Sequence, residues 1–193
     1  MKQFLVLPII LCLLSTSCGS ETTPKPAAKL RLEYAEPTYE EINLDMPFAF
    51  EKNALATNVK TRKLNGEDSY GVNLEYPALK GTIYLTYKAI NKSEEKLISY
   101  LRDAQNFTQE HTKKADEIVE RPYENTKRKV YGMFYEVGGN AASQSQFYVT
   151  DSTDHFLTGS LYFFTKPNFD SILPAANYLQ KDIQRIMESV TWK

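Results

Sequence analysis

The chain has 193 residues, 42% of them hydrophobic and 24% charged, with a formal net charge of −1. That length suits one domain whose core needs neither disulfides nor metal, and a near-neutral balance gives no argument for nucleic acid as a partner. Two cysteines exclude a disulfide framework, and two histidines, His111 and His155, leave little for a histidine-rich metal centre.

Met1 and Lys2 give a minimal positive start, Phe4 to Leu14 is nearly all apolar, and Ser15-Thr16-Ser17-Cys18 follows. A positive start, a short apolar run and small residues at the cut describe an export signal. The run is too short for a spanning helix, which needs about 20 apolar residues. Small side chains before Cys18 resemble the lipobox of bacterial lipoproteins; Ser15 stands where the common pattern has Leu, as in relaxed Bacteroidetes versions. The resemblance implies cleavage before Cys18 and lipidation of its thiol, with a plain secretory signal cut near Ser17 as the alternative. Cys12 then leaves with the signal, and acylation removes a Cys18 thiol that has no partner in an oxidising compartment. Residues 1–17 are read as the signal peptide and 18–29, with Pro24 and Pro26 and no apolar period, as the lipidated cysteine and its tether. Residues 30–193 are read as the folded domain.

Along that domain, Leu30, Leu32 and Tyr34 alternate with polar residues as a strand would, and Pro47–Glu51 is a second short candidate. Tyr70–Tyr76 and Thr82–Lys88 alternate on either side of Pro77-Ala78-Leu79-Lys80-Gly81, a hairpin signal. Ser93 is a helix N-cap, followed by Glu94 and Glu95 in the first turn and an apolar stripe of Leu97, Ile98, Leu101, Ala104 and Phe107. That helix should end between Gln109 and Ala115. Strands follow at Glu117–Tyr123, Lys127–Val137, Ser145–Thr150 and His155–Thr165. A second helix has caps at Phe169-Asp170-Ser171, Pro174 in its first turn, and a stripe of Leu173, Ala176, Leu179, Ile183, Ile186 and Met187. Val190 and Trp192 close the chain as an edge segment. The order predicts a single α+β domain, a mostly antiparallel sheet covered by two helices. It resembles the PsbP-like fold at the level of architecture, which says nothing of activity.

Little in this chain looks like catalytic chemistry. The best local group is Asp151, Asp154 and His155, which could supply an acid–base pair or a metal site, or could simply form a polar turn. No Gly-x-Ser-x-Gly elbow occurs, and Gly138-Gly139-Asn140 lacks the lysine and setting of a phosphate loop. Lys127-Arg128-Lys129 runs into Val130 and Tyr131 and reads as a solvated strand end. Asn106-Phe107-Thr108 fits a glycosylation triplet, but Phe107 belongs to the buried stripe. Asp151-Ser152-Thr153 and Asp170-Ser171-Ile172 resemble the O-glycosylation pattern of Bacteroidetes, the first in an exposed turn, which makes Ser152 the candidate acceptor, and the second as a helix cap. No catalytic, metal-binding or cofactor-binding residue emerges, and no cofactor is implied.

Three segments carry a wider resemblance: Tyr76-Pro77-Ala78-Leu79-Lys80-Gly81-Thr82-Ile83-Tyr84-Leu85-Thr86-Tyr87, the stretch from Gly139 to Ser152, and Phe156-Leu157-Thr158-Gly159-Ser160-Leu161-Tyr162-Phe163. With the lipobox and the last helix, they resemble the gliding-motility lipoprotein GldD family of Bacteroidetes. The resemblance implies a non-enzymatic envelope lipoprotein required for gliding and linked to type IX secretion. Its implied partners are the membrane, through the anchor, and other gliding lipoproteins or type IX components. Gly19 after the cysteine and the single acid in residues 19–23 suggest a periplasm-facing anchor in the inner leaflet of the outer membrane, with the inner membrane as the alternative. The rival reading is a periplasmic hydrolase built on Asp151, Asp154 and His155. The small polar loop from Gly138 to Ser145, with Asn140 and Gln144, is the expected contact surface.

Overall fold

The alternating stretches around Pro77–Gly81 pair as one hairpin, and the rest of the sheet grows outward from it. The computed structural model describes residues 32–66, 68–111, 115–139, 141–164 and 169–193, so Cys12, Cys18 and the tether lie outside the described residues. In chain order the strands are β1 (Tyr39–Ile42), β2 (Phe48–Asn53), β3 (Asn58–Lys63), β4 (Ser69–Tyr76) and β5 (Gly81–Ala89). Helix α1 (Glu94–His111) follows, then β6 (Ala115–Asn125), β7 (Val130–Gly139), β8 (Ser145–Thr150) and β9 (His155–Phe163). Helix α2 (Phe169–Ser189) and β10 (Thr191–Trp192) complete the described chain. Seven strands form one antiparallel sheet in the order β3-β4-β5-β9-β8-β7-β6, and β2 is flanked by β1 and β10 in a small second sheet. The expected single α+β domain, mostly antiparallel with two helices, is what forms.

The core follows from alternation. Val72 and Leu74 of β4, Ile83 and Leu85 of β5, Val149 of β8, and Leu157 and Leu161 of β9 are all buried on one sheet face. Against them lie Leu179, Ile183 and Ile186 of α2 and Phe48 and Phe50 of β2. Each such side chain contributes about 1.5–3 kcal/mol relative to exposure, so this face holds most of the fold's hydrophobic stabilisation. Gly81 is required where β5 meets α2, because a Cβ there would stand 2.7 Å from Leu179 Cδ1. The left-handed residue of the hairpin turn is instead Lys80, with φ of 52°.

Several expectations shift. Leu30–Tyr34 does not form a strand over its described part: residues 32–38 are irregular, and Tyr34 packs its ring 5.2 Å from that of Tyr178. The first strand starts at Tyr39 instead. β3 was not expected, because Asn58-Val59-Lys60-Thr61-Arg62-Lys63 shows one apolar residue; as an edge strand it needs no more, and its charges discourage edge pairing. Lys127–Lys129 is a turn, not a strand end. There the Arg128 guanidinium donates to the Glu188 carbonyl and Tyr123 Oη donates to the same oxygen at 3.1 Å, capping the C-terminus of α2. Pro174 lies inside α2, past its first turn, because the helix begins at Phe169. Ser93 does cap α1, its Oγ accepting from Lys96 N at 3.2 Å.

Candidate functional site

The Asp151–His155 segment is a turn whose polar atoms are turned inward on itself. Asp151 Oδ1 accepts from the backbone N–H groups of Thr153, Asp154 and His155 at 2.8–3.0 Å, and Oδ2 accepts from Thr153 Oγ1 at 2.9 Å. Burial alone would push the carboxyl up, but these bonds prevail and hold it below its ordinary 3.8. The imidazole of His155 stacks on Trp192, centroids 5.0 Å apart and planes 6° apart, while Nδ1 lies 2.8 Å from the Tyr87 hydroxyl. That phenol is pushed up to about 12, chiefly by burial. Asp151 thus binds the backbone of Asp154 and His155 but not the imidazole, and among the described residues no carboxylate is hydrogen-bonded to that ring. Among the described residues no three of His, Cys, Asp and Glu gather as a metal-binding group. Ser152 is exposed at the tip with φ of 67°, an accessible hydroxyl.

The expected contact loop is corrected by packing. Gln144 is only 7% exposed and donates from Nε2 to the Ala141 carbonyl at 2.7 Å, while Ser143 and Ala141 are also buried. The Gln144 carbonyl accepts from Val137 N at 2.8 Å, so the segment folds against β7. Asn140 lies outside the described residues. The sequence was misleading because small polar residues fit a closed turn as well as a solvated one.

A larger concavity than the hollow of about 170 Å³ beside Gly138 and Gln144 lies on the face of the seven-stranded sheet opposite the core. Register aligns Tyr84 of β5, Ser160 of β9, Gln146 of β8 and Tyr135 of β7 in one row across the strands. The next row holds Thr86, Thr158 and Tyr148. Helix α1 spans this face but stands off it. Its Thr108 is buried, whereas Ile98 is 48% and Phe107 38% exposed, against the expectation that Phe107 is buried. Between helix and sheet runs a groove of about 390 Å³, within the usual size of ligand sites. Beyond Thr108 and Tyr135, which border both, a second hollow of about 420 Å³ continues toward Ile118 and Glu120.

The groove is aromatic and neutral inside. Tyr148 stacks on Phe156 at 5.8 Å, Tyr100 tilts against Phe156 at 5.6 Å, and Tyr84 meets Tyr162 edge-on at 5.8 Å. Burial pushes the Tyr135, Tyr148 and Tyr162 phenols up, so they act as uncharged hydroxyls. Charge sits toward the β3 side, where Arg62 lines the groove and Lys88 Nζ lies 3.7 Å from Asp103 and 4.6 Å above the Tyr100 ring. At the floor, Gln146 is 3% exposed; its Oε1 accepts from Thr108 Oγ1 at 3.2 Å, and its Nε2 has no partner. The sequence could not gather Tyr84, Tyr100, Tyr135, Tyr148 and Tyr162; for all but Tyr100, which comes from α1, the signal was placement on the alternate positions of strands whose other face is core.

A second polar cluster is structural in character. Asp182 of α2, 1% exposed, accepts from Tyr39 Oη at 2.7 Å and from Asn53 Nδ2 at 2.9 Å, which joins β1 and β2 to the helix. Burial pushes its carboxyl up against the pull of those hydrogen bonds. The Tyr76 hydroxyl, buried beside the cluster, couples to Asp182 electrostatically but makes no hydrogen bond of good geometry.

Residues 19–192 match the family model described as gliding motility lipoprotein GldD. No curated protein and no solved structure matches the chain.

Proposed function

We propose, because the chain belongs to the gliding motility lipoprotein GldD family, that it serves gliding as a binding or assembly component and not as an enzyme. Membership in a lipoprotein family associates the chain with the cell envelope. Among the described residues no helix is long and apolar enough to cross a membrane. The observation that carries the non-enzymatic reading is the condition of Asp151 and His155, whose hydrogen-bonding atoms serve a turn and a ring stack. A general base needs a free lone pair within reach of a substrate proton, and a turn-capping carboxylate that already accepts four hydrogen bonds is poorly placed to offer one. The domain acts by contact, held at a membrane through diacylated Cys18. Its partners are other gliding lipoproteins or components of type IX secretion. The anchor sits in the inner leaflet of the outer membrane and faces the periplasm, with the inner membrane as the competing site. Ser152, exposed at its turn, is the candidate for O-glycosylation.

The deciding experiment replaces Asp151→Asn and His155→Gln in cells. Gliding should persist at normal protein abundance; a folded, abundant and non-gliding variant would favour a periplasmic hydrolase. Cys18→Ala should leave uncut precursor or a released form, and mass spectrometry of the wild-type mature N-terminus should find an acylated cysteine. An unmodified residue there would remove the anchor from the reading. Separation of the two membranes and protease treatment of intact cells test the location.

A further inference from the structure

We infer that the groove between α1 and the sheet is a binding site for a neutral oligosaccharide. Its floor comes from β5, β8 and β9, each paired on both sides, so no main-chain N–H or C=O is free to bind a ligand. A peptide could not add backbone hydrogen bonds there, and recognition falls to side chains. Those side chains combine aromatic faces, Tyr84, Tyr100 and Tyr148, with hydroxyls from Thr86, Thr158 and Ser160. Pyranose rings present the complement, an apolar C–H face and a rim of hydroxyls, to rings and polar atoms alike.

Gln146 is the second, independent pointer. It lines the groove, is 3% exposed, and one end of its amide has no partner. A buried unpaired amide end is destabilising, and a ligand can recover that loss by supplying the missing bond. Thr108 can satisfy either end of that amide as donor or acceptor, and a sugar hydroxyl, which also donates and accepts, can satisfy the other. An acyl chain would strand these polar atoms. Both cations that line the groove, Arg62 and Lys88, stand toward its β3 side, Lys88 against Asp103, so an anionic ligand would find no cation along the stretch from Ser160 to Tyr135. The two hollows follow one another along α1 and share Thr108 and Tyr135, a shape for a chain of rings more than for a compact solute. This chemistry is independent of the machinery that the chain serves.

The test uses the full chain in a detergent without a sugar headgroup, titrated with cellobiose, maltose and N,N′-diacetylchitobiose and followed by tyrosine fluorescence and calorimetry. At least one disaccharide should saturate the protein in the millimolar range. Gln146→Met and Tyr100→Ala should each weaken that binding at least fivefold, with the thermal midpoint of Gln146→Met no lower than wild type, because it deletes the unpaired Nε2 while Thr108 Oγ1 keeps the Ala104 carbonyl as acceptor. Absence of saturation by all three sugars overturns the assignment. So does binding that both variants leave unchanged, or saturation by a fatty acid or an apolar peptide where the sugars fail.

Discussion

Two aspartates show how position decides what a carboxylate does. Asp151 receives three backbone N–H groups, and its pKa lies below 3.8 although burial works the other way. A depressed folded value means that its contribution is present above 3.8 and is lost as pH falls through the folded value. Asp151→Ala should therefore cost about 1–2 kcal/mol near neutrality, as removal of an N–H-capping side chain does, and the gap from wild type should close in acid; urea unfolding across pH measures both. Asp182 runs the opposite way. Burial raises its pKa, so its stabilising protonated form is fully populated below 3.8 and its contribution is lost as pH rises through the folded value. Tyr39→Phe removes the donor to Oδ1 and should raise that pKa further, with a loss of about 1–3 kcal/mol at neutral pH, read by the same unfolding series. Asp151 was legible in the sequence because a turn is a local event. Asp182 was not, because its partners are 143 and 129 residues away. Its only trace is a charge three positions after Leu179, on a stripe that is otherwise apolar.

Elements were legible in proportion to how one-sided their burial is. β4 and β5 carry alternating apolar residues, Val72, Leu74 and Tyr76, then Ile83, Leu85 and Tyr87, because one face is core, and α2 shows its stripe for the same reason. β1 and β3 are short or polar edges, and no apolar period announces them. α1 showed a stripe that the fold only half uses: the helix stops short of the sheet, and the groove takes the space that Phe107 would have filled. α1 should therefore open more readily than α2. Hydrogen exchange should find its amides less protected than those of Leu179, Ile183, Ile186 and Met187, whose side chains are buried in the core. Equal protection would mean that Thr108, the Tyr100–Phe156 contact and the Lys88–Asp103 pair hold α1 as firmly as the core holds α2. In β7, Gly132→Ala should be severely destabilising, since a Cβ would stand 1.9 Å from the Tyr148 carbonyl oxygen and part β7 from β8. Loss of folded protein on expression, or a large drop in the urea midpoint, checks it.

At the scale of the molecule, antiparallel neighbours joined by short turns made the α+β class readable, while the division into a large sheet and a three-stranded annex depended on contacts across the whole chain. The annex has a mechanical consequence. Any load that arrives from the N-terminal side enters at β1, four residues paired to β2 and pinned by Tyr39 to Asp182. β2 also carries β10 on its other edge and packs on α2, and the seven-stranded sheet stands behind that. Behind the Tyr34–Tyr178 ring contact and the bond from Tyr178 Oη to the Ala35 carbonyl, β1 is thus the first paired strand that such a load would meet. It can peel away and rezip while the remaining strands keep their pairing, so the annex works as a shock absorber that yields before the groove is disturbed.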